Sequence, residues 1–63
     1  MTDAAKLVTL AHYIARRRIR ERLRDHGFRP QDFEASELAI ASRAYLQAHL
    51  AELIAEARRL LSR

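Results

Sequence analysis

Cysteine is absent from the 63 residues of this chain. That removes disulfides, thiolate metal sites and thiol nucleophiles together. One glycine, Gly27, leaves no material for a glycine-rich loop that cradles phosphates. One proline, Pro30, leaves long stretches on either side free to be helical. Apolar runs are short too, none approaching the roughly 20 residues of a membrane span. The opening Met1-Thr2-Asp3-Ala4-Ala5-Lys6 lacks the basic-then-apolar order of a secretion signal. A cytoplasmic protein is the expectation. At this length there is room for one domain, 1–63, and a chain so small buries too little surface to be comfortable alone. With disulfides excluded, association with another chain is the expected stabiliser.

What remains is rich in Ala, Leu, Arg and Glu, the composition of an all-α protein. In the first half the apolar row Leu7, Ala11, Ala15, Ile19, Leu23 advances by fours, with Leu10 and Ile14 beside it. This spacing predicts a helix over about 3–26, capped by Thr2 or Asp3. His26-Gly27-Phe28-Arg29-Pro30 stops it: Gly27 suits a left-handed residue, Phe28 packs back on Leu23, and Pro30 cannot continue the ladder. A turn is expected over 27–33 and a second helix over about 34–62, with Asp32 or Ser36 as alternative caps.

That second stretch carries two apolar faces. Ala39, Ser42, Leu46, Leu50, Leu53, Ala57 and Leu60 fall on one stripe at helical spacing. Ala41, Ala44, Ala48, Ala51 and Ala55 fall on the opposite one. A short connection makes the two helices antiparallel neighbours. Pairing outward from the turn then sets Ile19 near Ser42, Ala15 near Leu46, Ala11 near Leu50 and Leu7 near Leu53. The leucine stripe is consumed by the first helix and the alanine stripe is left over. Glu, Lys and Gln form helices about as well and would be better solvated, yet none stands on it. The expected architecture is therefore an antiparallel two-helix hairpin assembling as a homodimeric four-helix bundle, with Ala41, Ala44, Ala48, Ala51 and Ala55 at the dimer interface. At the level of architecture alone, this resembles the plasmid RNA-binding protein Rop.

The formal charge of +4 is uneven. Arg16–Arg29 holds seven arginines against Glu21 and Asp25, a net +5, while the rest of the chain is close to neutral. On a helical projection Arg16, Arg17, Arg20 and Arg24 form one outward row opposite Leu7 and Ala11, with Arg29 just beyond the turn. The planar guanidinium fork suits phosphate oxygens, and a row of them can track a nucleic-acid backbone. Arg18 and Arg22 fall towards the core side, and their heads are expected to reach Glu34 or Glu37 across the turn. A solvated face that merely keeps the chain soluble is the competing reading of the arginines.

Other chemistry finds little support. His49, Glu52 and Glu56 share a seam, but di-iron bundles use Glu-x-x-His, the reverse order, facing the core. No metal and no cofactor are expected. Ser36, Ser42 and Ser62 lack a converging His and acid, so the chain reads as a non-enzyme. An amphipathic basic helix can lie on an anionic membrane, but the first helix spends its apolar row on the second, so a membrane partner is not expected. The leading function is a small regulatory or architectural nucleic-acid-binding protein. The alternative is a protein-interaction module, of the adaptor, antitoxin or phage-inhibitor kind, docking on an acidic or helical protein partner.

Overall fold

In the computed structural model, which describes residues 3–62, the first helix, α1, runs Asp3–Asp25. Asp3 stands in its first turn and Arg22 and Arg24 in its last, each favourable to the helix dipole. Thr2, the other candidate cap, and Arg63, at the far end of the chain, lie outside the described residues. The exit from α1 is a Schellman turn. Gly27 sits at φ 86°, its N–H donates to the Arg24 carbonyl at 3.0 Å, and the Phe28 N–H donates to the Leu23 carbonyl at 2.9 Å. These bonds satisfy two of the carbonyls that every helix leaves orphaned at its end. A Cβ at Gly27 would meet nothing within 4 Å, so a side chain there is opposed by backbone conformation alone. Gly27→Ala is expected to destabilise the fold by about 1 kcal/mol and lower the melting temperature by about 4–8 °C. A circular-dichroism melt unchanged by the substitution would show that the turn does not depend on the left-handed residue.

After the turn, a 3-10 segment, Pro30–Asp32, leads into α2, Ala35–Ala48. Neither expected cap is used. The N-cap is Glu34, whose N–H donates to the Glu37 carboxylate at 3.1 Å. Asp32 is occupied one turn earlier, accepting the Arg29 N–H at 2.9 Å.

The main departure comes at His49, which separates α2 from a third helix, α3, Leu50–Leu61. His49 takes φ −125°, ψ 30°, although its N–H still reaches the Tyr45 carbonyl and its carbonyl still accepts from Leu53, both at 3.0 Å. One non-helical residue therefore redirects the chain without stripping the backbone of hydrogen bonds. A straight helix over 34–62 would be about 43 Å long, whereas the largest extent of the molecule is 35 Å, roughly the length of α1 by itself. The two-helix hairpin is replaced by three helices in which α1 packs on both α2 and α3, while those two barely touch each other. The likeness to Rop, resting on two helices per chain, goes with it.

The core follows the new geometry. Ala11 and Ala15 of α1 and Leu53 and Ala57 of α3 are completely buried, joined by Ile14, Leu46 and Ser42. Small residues on α1 let the axes approach closely, and Leu53 fills the space they leave. Ser42 is tolerated because its hydroxyl donates to the Leu38 carbonyl at 2.7 Å, one turn back. Leu50 is not in the core: redirection at His49 leaves it 52% exposed, and Leu60 is 41% exposed near the helix end. Among the described residues, no helix is long and apolar enough to cross a membrane.

Candidate nucleic-acid interface

α1 buries Ala11 and Ala15, so the residues half a turn round the helix must face outward. Arg16, Arg17, Arg20 and Arg24 are all exposed there and line one shallow groove of about 350 Å³ together with Tyr13 and Glu21. Their electrostatic situations differ. Arg17 is paired with Glu21 at 3.3 Å, one turn on. Arg16, Arg20 and Arg24 have no ion pair among the described residues, and they stand at i, i+4, i+8. Like charges at that spacing disfavour the helix slightly, which the dipole offsets only for Arg24, in the last turn. A polyanion would relieve it.

Arg29 stands apart. It lies beyond the Schellman turn, does not line this groove, and is engaged with Asp32 at 3.6 Å. Two contributors were not singled out from sequence. Tyr13 opens the row one turn before Arg16 and Arg17, with 65% of its surface exposed. Arg43 comes from α2, and shares with Arg16, His12 and Tyr13 a second groove between the helices. The basic surface thus begins on α1 and continues onto α2.

Arg18 takes another path. Its guanidinium pairs with the Glu56 carboxylate of α3, not with Glu34 or Glu37. Its pKa is raised above the ordinary arginine value, first by a hydrogen bond to the Tyr45 side chain and then by the Glu56 charge, with partial desolvation opposing both. The expected register would have put Arg18 beside Arg43 and left Glu56 about 20 Å away. Their pairing is direct testimony to the redirection at His49. Arg22 lines a third, largely apolar groove at the turn end, which Glu37 also lines, and makes no ion pair with it.

The His49 seam is likewise committed within the chain. His49 stacks on Tyr45 with ring centroids 4.5 Å apart, and its Nδ1 lies 3.6 Å from Glu52, while Glu56 is held by Arg18. Among the described residues no three of His, Cys, Asp and Glu gather in a way that could hold a metal ion.

The alanines lie elsewhere. Ala44, Ala48, Ala51 and Ala55 are exposed and Ala41 is half-buried, the first three of the series on α2 and the last two on α3. Ile40, beside them, is 68% exposed. No protein-family model, curated protein or solved structure matches the chain.

Proposed function

We propose that this chain is a small non-enzymatic nucleic-acid-binding protein, regulatory or architectural, that grips the phosphate backbone with the outward face of α1. The observation that carries the reading is the trio Arg16, Arg20 and Arg24: exposed, on one line, and without ion pairs among the described residues. Arg17 contributes from the same groove once it exchanges Glu21 for phosphate, and Arg29 extends the surface past the turn in the same way. Such contacts are charge-assisted and largely blind to sequence. The test is fluorescence anisotropy of labelled DNA and RNA across a salt titration. Micromolar or tighter binding that weakens steeply with salt supports the reading, and no binding at low salt ends it.

In this reading the protein works as a homodimer through its alanines, Ala44 and Ala48 at the end of α2 and Ala51 and Ala55 at the start of α3, all exposed, with the half-buried Ala41 at the margin. Ala48 is the last residue of α2, next to the α2–α3 junction. Ala48→Glu is expected to halve the mass observed by light scattering. A variant of unchanged mass would remove the alanine face from the interface.

A second reading has its own support. Ile19, Leu23, Phe28, Phe33, Leu38 and Ala41 line an apolar groove of about 480 Å³ at the turn end of the molecule. Docking of the apolar face of a partner helix there would make the chain an interaction module. Salt separates the two, since apolar docking is not weakened as phosphate binding is.

A further inference from the structure

Tyr13 is out of place for a residue that serves the fold. Its ring lies outside the core cluster, 65% of its surface is exposed, and among the described residues it makes no hydrogen bond, ring contact or ion pair. It also lines three adjoining grooves. One holds Arg16, Arg17, Arg20 and Arg24. The next crosses to Arg43 on α2, and the third runs past Arg17 and Arg18 towards Glu56. An uncommitted aromatic face therefore stands among the arginines of two helices.

We infer that Tyr13 is a stacking platform for an unpaired base, so that the preferred ligand is a single strand rather than a duplex. This rests on the nucleic-acid reading and adds the ligand class to it. Arginines that track a backbone work equally well on paired and unpaired strands. An aromatic ring at the same surface does not, because bases in a duplex have their faces covered by their neighbours. In a single strand the phosphates run along Arg16, Arg20 and Arg24 while one base turns onto Tyr13. Every base has a π-face, so such binding tolerates sequence. Along α1 the row from Tyr13 to Arg24 spans about 16 Å, room for a few nucleotides.

The test uses 5′-labelled oligo(dT) and oligo(U) beside a blunt duplex of equal length, titrated with wild type, Tyr13→Ala and Tyr13→Phe. Tyr13→Ala is expected to weaken single-strand binding by about 5- to 150-fold. Duplex binding should move by less than about twofold, and Tyr13→Phe should keep the wild-type preference because the ring is retained. The exposed position makes all these variants foldable. The chain has no tryptophan and only Tyr13 and Tyr45, so in a Tyr45→Phe background the quenching of tyrosine emission on binding reports stacking at Tyr13. Unchanged single-strand affinity in Tyr13→Ala, or equal loss on duplex, overturns the inference while leaving backbone binding in place. Absence of binding to any of the three probes by wild type overturns the inference together with the reading beneath it.

Discussion

Leu53→Ala is expected to lower the stability of the fold by about 2–5 kcal/mol, the largest loss of any single truncation in the core. Among the described residues Leu53 is the one large side chain that is completely buried, and the other completely buried residues are the alanines Ala11, Ala15 and Ala57, too short to fill a void. Truncating a buried leucine costs about 2–5 kcal/mol when the surroundings relax little. A domain of this length has roughly 3–9 kcal/mol of stability in all, so this change removes a large share of it. Leu50→Ala is the informative comparison. An unbroken second helix places Leu50 and Leu53 on one buried stripe, and both truncations would then be severe. With the chain redirected at His49, Leu50 is half exposed, and its truncation should shift stability by no more than about 1 kcal/mol. Both belong in the Ala48→Glu background, so that association does not contribute. Urea melts with equal losses at 50 and 53 would restore the straight helix.

The contrast also marks where local sequence stopped being informative. Gly27 is legible because only a residue without Cβ enters the left-handed region freely, and the signal sits within five residues of the helix it ends. The outward arginine row is legible for a similar reason, since spacing along one helix fixes a shared face. Tyr13 lies on that same projection, three and four residues before Arg16 and Arg17, but a lone tyrosine on a helix carries no charge pattern that marks it as part of the row. His49 offers no such signal. It is neither proline nor glycine, and its neighbours continue the helical pattern on both sides, so the interruption is set by contacts distant in sequence. Burial of Leu53 and Ala57 against α1 is common to both geometries, but the Arg18–Glu56 pair is available only to the redirected chain. Arg43 joins the basic surface through the same tertiary step, because its place beside Arg16 depends on how α2 lies across α1. The Glu34 cap is a smaller case. Glutamate is not a favoured N-cap, and here the stabilising contact comes from Glu37 reaching back to it.

Replacing Arg16, Arg17, Arg20 and Arg24 by alanine is expected to abolish nucleic-acid binding without disturbing the fold. All four side chains are exposed, alanine is the strongest helix former, and the change removes like-charge neighbours along α1. The only ion pair lost among the described residues is Arg17–Glu21, an exposed one of little consequence to stability. If the four arginines each neutralise one phosphate, log K for a single strand should fall with log salt at a slope of about −3, and a fourfold rise in salt should weaken wild type by roughly 50-fold. In the variant that dependence should flatten, with low-salt affinity down by at least about 100-fold. Removal of four charges from a chain of net +4 has a simpler explanation to defeat, namely that any loss of positive charge weakens attraction to a polyanion. Arg22, Arg58 and Arg59 changed together to alanine provide the control, lowering the charge nearly as far at positions outside the row. The row is the working surface if this control keeps the wild-type slope and loses only a small part of its affinity. Equal losses in both variants would leave a diffuse positive field, and the aligned arginines would then be a solvated face with no ligand of their own.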